Sequence, residues 1–175
     1  FRSCARVTDT VARLGGDEFA ILVEDSPGPD GHAAMLDRLA AATSAVCFGT
    51  LGQRGKESLA TIRRFLGALP SPALRILDIN LRPPFWTPEV VRESMPLTDV
   101  VKCNDDELPV VAEILGLSGP PERILRGLVD RHGLRLAGQP PGNDIAHRLV
   151  QAQGRSRQDG TSRHPNAAIR RALNP

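Results

Sequence analysis

Two polar clusters in the middle of the chain carry residue types suited to holding an anion. Asp78, Asn80 and Arg82 close the segment LRILDINLR, and Lys102, Asn104 and Glu107 close the segment VVKCNDDE. A guanidinium or an ammonium attracts phosphate or carboxylate oxygens. Each cluster follows an apolar run: Leu74, Ile76, Leu77 and Ile79 before the first, Val100 and Val101 before the second. Both clusters are therefore expected where strands end. In open α/β sheets ligands bind beyond the carboxyl ends of the strands, where loops and helix N-termini can be aimed at one point. Residues 74–107 are on this ground a candidate anion or nucleotide site. The same residues also suit plainer roles. Asp78, Asn80 and Arg82 could fix a loop by hydrogen bonds, and Asn104-Asp105-Asp106-Glu107 reads equally as a capped, acidic helix N-terminus.

A second group lies near the N-terminus. Two apolar runs, 7–14 and 19–23, flank Gly15-Gly16-Asp17-Glu18. Paired glycines supply the positive φ angles of a tight turn, so the pattern predicts a surface hairpin of two antiparallel strands. Arg6 and Asp9 stand just upstream, spaced so that one could meet a phosphate and the other the edge of a base.

The elements needed to position these groups can be read from the same pattern. A helix is expected over 32–42, a buried strand over 45–49, a loop over 50–57 and an amphipathic helix over 58–69 that Pro70 and Pro72 end. Strands follow over 74–79 and 99–103, with helices after each. Pro120-Pro121-Glu122 opens a further helix running to His132-Gly133, and a strand begins at 134–136. Strands alternating with helices imply an α/β fold with a partial, three-stranded parallel sheet flanked by helices and right-handed crossovers. From Gly138 the sequence turns polar and basic. A short helix-like piece is expected over 144–151, and the tail 138–175 as a whole reads as disordered.

Composition narrows the partners. The chain has 175 residues, 41% hydrophobic and 24% charged, with a net charge of +2, which is ordinary for a folded soluble protein and gives no drive toward nucleic acid or an acidic membrane. Tyr is absent and Trp86 is alone, so a base-stacking surface is not expected. Cys4, Cys47 and Cys103 are odd in number and widely spaced, which suggests neither a disulfide framework nor a zinc site. No apolar run approaches the ~18 residues of a membrane span. Cytoplasmic localisation is the expectation. The chain begins at Phe1 rather than Met, which fits a fragment.

The D-x-N-x-R run Asp78, Asn80, Arg82 and the N-x-x-E run from Asn104 to Glu107 resemble the PfkB (ribokinase-type) carbohydrate kinases, closest to their fructokinase-like members, over about 44–136. The resemblance implies a ribokinase-like core that transfers the γ-phosphoryl group of ATP to a sugar hydroxyl. It places Asn104 near the nucleotide phosphates, Glu107 on the hydration shell of Mg²⁺, and Asp78, Asn80, Arg82 and Lys102 around substrate or nucleotide. The family's Thr-x-Gly turn, due after the strand begun at 134–136, and its later G-A-G-D run, whose Asp deprotonates the sugar hydroxyl, do not follow that strand here, so no catalytic residue is assigned and turnover by this chain alone is not expected. Residues 1–39 resemble the GGDEF domains of diguanylate cyclases. That resemblance takes Gly15, Gly16, Asp17, Glu18 and Phe19 as its signature, with GTP approached at the two glycines and divalent metal at Asp17 and Glu18, and implies a cyclic di-GMP inhibitory site at Arg6 and Asp9. The implied organisation is a partial GGDEF domain over 1–43, a partial kinase domain over 44–137 and the tail. Three functions follow: a sugar-kinase fragment, a cyclase remnant binding GTP or cyclic di-GMP, or a fusion of two partial genes without function.

Overall fold

The computed structural model describes residues 4–15, 18–23, 29–139 and 148–151. The chain divides into two compact units, residues 1–44 with 63–73, and residues 45–62 with 74–175.

In the first unit β1 (Thr10–Gly15) and β2 (Glu18–Leu22) pair antiparallel, with Thr10 opposite Leu22 and Gly15 opposite Glu18. Gly16 and Asp17, which join them, lie outside the described residues, as do the side chains of Glu18 and Phe19. Helix α1 (Pro29–Ala41) follows and buries Met35 and Ala40. Its Arg38 donates from Nε to the Cys4 carbonyl at 2.8 Å. Helix α2 (Lys56–Ala68) begins in the second unit and ends in the first, where Leu66 is buried.

The second unit is built on a sheet of five strands, ordered β3 (Ala45–Gly49), β4 (Leu74–Asp78), β5 (Val100–Lys102), β6 (Leu136–Gln139) and β7 (Arg148–Gln151). The first four are parallel, and β7 lies antiparallel on β6. The sequence pattern predicts a three-stranded parallel sheet, a further strand beginning at 134–136 and a helix-like piece at 144–151. The structure brings that further strand into the sheet as a fourth parallel neighbour and makes 148–151 an antiparallel edge strand. Four residues with two apolar side chains carry no clear period, and their strand state comes from pairing with β6. The tail is accordingly not disordered throughout, since 138–139 and 148–151 belong to the sheet.

Register explains why the sheet ends as it does. Ile76, Val100 and Leu136 are neighbours across three strands and form one buried apolar row. Leu77, Val101 and Ala137 form the next row, each fully buried. Near-continuous apolar strands of this kind are the mark of a parallel sheet covered on both faces. The following row is polar: Asp78 opposite Lys102, with Gly49 and Gly138 beside them.

Three helices hold this end in place. Helix α3 (Pro88–Ser94) is capped by Thr87, whose hydroxyl accepts from the Val90 amide, and it buries Val91 and Ser94. Helix α4 (Glu107–Ile114) buries Leu108, Val111 and Ala112. Helix α5 (Pro121–His132) buries Ile124, Leu125, Leu128 and Val129, an i, i+1, i+4, i+5 stripe, and stops at Gly133, whose φ of 64° few other residues adopt cheaply. Carbonyls at the end of α4 are met by two arginines, Arg92 at Ile114 (3.3 Å) and Arg131 at Leu115. The helix that carries Glu107 is thus tied at its far end to α3 and α5.

Candidate functional site

Because β4 and β5 are parallel neighbours, their carboxyl ends point the same way, and both clusters read from the sequence meet there. Lys102 Nζ lies 3.1 Å from Asp78 Oδ2. The pair is partly exposed, so it contributes little to stability, on the order of 0–1 kcal/mol, and leaves both groups within reach of a ligand. Two residues on, Asn80 Oδ1 accepts from Arg82 Nε at 3.1 Å, which sets the direction of an exposed guanidinium.

The second cluster is a reciprocal helix cap. Asn104 Oδ1 accepts from the amides of Asp106 (3.0 Å) and Glu107 (2.8 Å), and Glu107 Oε2 accepts from the Asn104 amide at 2.9 Å. The Leu108 amide donates to the Asn104 carbonyl, so the helical hydrogen bonding of α4 starts at Asn104. Glu107 has a second task, since its Oε1 accepts from the Leu81 amide at 3.2 Å. One carboxylate therefore bolts the loop after β4 to the loop after β5. Asp78, Asn80, Arg82, Lys102, Asn104 and Glu107 are in this way brought to one edge of the sheet.

The sequence pattern gives β3 and the loop over 50–57, but no part in the site for that loop. Thr50, immediately after β3, is fully buried, and its Oγ1 donates to the Asn80 carbonyl at 2.7 Å while accepting from the Asn80 amide at 3.0 Å. Gln53, 3% exposed, donates to the Gly49 carbonyl (3.2 Å) and to Ser94 Oγ (3.1 Å). Gly49 lies so close to β4 that a Cβ there would stand 3.0 Å from the Asp78 carbonyl oxygen. The segment TLGQRG gave no local sign of this, because the partner of Thr50 lies thirty residues on.

Cys103 lies beneath these polar groups at 1% exposure. Burial first, and then the nearby carboxylates of Glu107, Asp78 and Asp105, push its thiol up to about 12. Cys47 is also raised, by desolvation and then by Asp78. Neither is activated as a nucleophile. Among the described residues no group of three or more His, Cys, Asp and Glu is placed to hold a metal, and no helix is long and apolar enough to cross a membrane.

Arg6 and Asp9 lie together in the first unit, with Ala5, Val7 and Val11, around a cavity of about 340 Å³. Asp9 Oδ2 accepts from the Arg6 amide at 2.7 Å and lies 3.7 Å from the Arg38 guanidinium, while the buried Asp9 Oδ1 has no hydrogen-bond partner.

No protein-family model and no curated protein matches the sequence. Solved structures do. Fructokinase from Xylella fastidiosa superposes with a TM-score of 0.56 at 16% identity, over 83% of this chain and 48% of that one. Fructokinase from Vibrio cholerae O395 in its apo form gives 0.55 at 15% identity, over 83% and 50%. The 2-dehydro-3-deoxygluconokinase of Thermotoga maritima gives 0.53 at 16%, over 70% and 40%. The parallel sheet flanked by helices is similar in fold to part of these sugar kinases. At these identities the likeness carries the fold alone, and the chain spans about half the length of the fructokinases it matches. The Xylella enzyme has also been solved with bound ATP, and the Vibrio enzyme with fructose, ADP and calcium ion. Nothing in these comparisons supports the GGDEF resemblance of residues 1–39.

Proposed function

We propose that the second unit is the nucleotide-phosphate-handling part of an ATP-dependent carbohydrate kinase of the fructokinase-like kind. The observation that carries this reading is the meeting of Lys102, Arg82, Asn104 and Glu107 at the carboxyl edge of β4 and β5 in a sheet of sugar-kinase fold. Arg82 and Lys102 are the cations that would face phosphate oxygens, Arg82 with a planar fork suited to them. Asn104 presents the start of α4, where helix amides and dipole favour an anion.

The residues also fit Mg²⁺ and ATP as ligands. Each Glu107 oxygen accepts one amide and keeps a further lone pair, so the carboxylate could still hold water of a hydrated cation. When bound, the metal would neutralise charge on the phosphates, and the chain's own part would be positioning and electrostatics. A base for the sugar hydroxyl is not assigned. The expected outcome is ATP binding by calorimetry without ADP release in a coupled assay with fructose. Turnover with fructose that Glu107→Ala abolishes would overturn the reading of an incomplete catalytic set.

A second reading is favoured by the cavity that Arg6 and Asp9 line in the first unit. It predicts that cyclic di-GMP binds and that Asp9→Ala and Arg6→Ala abolish binding. No heat on titration of cyclic di-GMP into the unaltered chain would dispose of it.

A further inference from the structure

We propose that Thr50 is a positioning residue for Arg82, acting through Asn80; this rests on the reading of Arg82 as the group that meets phosphate. Past the last ladder pair of β3 and β4, Gly49 with Asp78, the two chains part. The Thr50 hydroxyl takes over where the backbone ladder stops, closing both the amide and the carbonyl of Asn80 with one oxygen. A single residue whose two main-chain groups are both fixed cannot rotate about its flanking bonds without breaking one of them. The Asn80 Cα–Cβ bond is thereby given one direction, and the Oδ1 at the end of that side chain holds Arg82 Nε. On the other side the Leu81 amide is pinned by Glu107, so the segment 80–82 is clamped from Thr50 after β3 and from the first residue of α4.

Thr50 is itself held from below. It caps the short helical turn Leu51–Gln53, the Gln53 amide donates to its carbonyl at 3.1 Å, and the Gln53 side chain is anchored on Gly49 and on Ser94 of α3. These groups are buried, and a buried polar relay with every member satisfied fixes geometry more firmly than its separate bonds would. An exposed guanidinium on a loop would otherwise lose rotamer freedom on binding, which costs affinity; a prearranged one has less to lose. Thr50 touches no ligand in this scheme, and its effect must pass through Arg82.

That requirement supplies the test. Magnesium ATP is titrated calorimetrically into the full chain and into Thr50→Val, Thr50→Ser, Arg82→Ala and the Thr50→Val/Arg82→Ala double variant. Valine keeps the shape but removes both bonds to Asn80, and should weaken binding about tenfold, whereas serine keeps the hydroxyl and should stay within about threefold. The double variant should bind no more weakly than Arg82→Ala alone, a non-additivity that general destabilisation would not produce. Additive losses, or a valine variant that binds like the unaltered chain while Arg82→Ala is weakened, overturn the role of Thr50 and leave the phosphate reading standing. An unaltered chain that does not bind ATP, or that binds it equally well without Arg82, overturns both. If Thr50→Val does not fold, Asn80→Ala decides. It keeps both backbone bonds to Thr50 and removes only the carboxamide on Arg82, so a tenfold loss is expected and an unchanged affinity overturns the relay.

Discussion

Glu107→Gln separates two jobs that a single carboxylate can hold. In the structure each Glu107 oxygen accepts a backbone amide, Oε1 from Leu81 at 3.2 Å and Oε2 from Asn104 at 2.9 Å. Glutamine keeps one carbonyl oxygen but turns an NH₂ group toward the other amide, so one donor loses its acceptor and meets a second donor. A part-buried donor left without its partner costs about 1–3 kcal/mol. Unfolding in urea, followed by the fluorescence of Trp86, should lose that amount with an unchanged m value. Glu107→Ala removes both bonds and should cost more. Hydrogen exchange at the Leu81 and Asn104 amides gives the local readout, since both should lose protection. A carboxylate serving only a metal's hydration shell would instead be a burden without the metal, and its removal would leave stability unchanged or raised. A change below about 0.5 kcal/mol with undisturbed exchange at both amides would refute the staple.

The rest of the account makes three further predictions. Leu77→Ala, at the centre of the fully buried row with Val101 and Ala137, should cost about 3–5 kcal/mol in the same urea experiment, through a cavity the sheet cannot close. Gly49→Ala should cost about 1–3 kcal/mol and also weaken ATP binding by calorimetry, because the new Cβ meets the Asp78 carbonyl oxygen and pushes β3 from β4. Cys103 predicts an alkaline loss of stability. The native thiol keeps its proton up to about 12 while the unfolded thiol loses it from 9.0, so stability present below pH 9 drains away as pH rises, by up to about 4 kcal/mol at pH 12. The raised Cys47 thiol adds to the same loss, and Cys103→Ala should reduce the slope between pH 9 and 12 in urea titrations at stepped pH.

The strands that carry the site were legible because their apolar runs are long enough to have a period and end in polar side chains. That the clusters holding Asp78 and Lys102 end neighbouring strands followed from that pattern; that the two residues stand opposite each other is a register the sequence does not state. The N-x-x-E spacing likewise declared a helix cap, which the structure has. What the sequence hid is non-local. Thr50 earns its position from Asn80, the second bond of Glu107 comes from Leu81, and β7 is a strand because β6 offers it an edge. Helix α2 gave no sign that its two ends would fall in different compact units, since its amphipathic stripe runs without a break.

The central claim is that phosphate is met at the carboxyl edge of β4 and β5. Two-dimensional amide NMR of the ¹⁵N-labelled chain, titrated with magnesium ATP, tests it directly. The account predicts saturable shifts concentrated at Leu81, Arg82, Asn104 and Glu107, with the Arg6 to Asp9 amides still. Shifts centred on Arg6 and Asp9, or none at the edge of the sheet at saturating ATP, would contradict it.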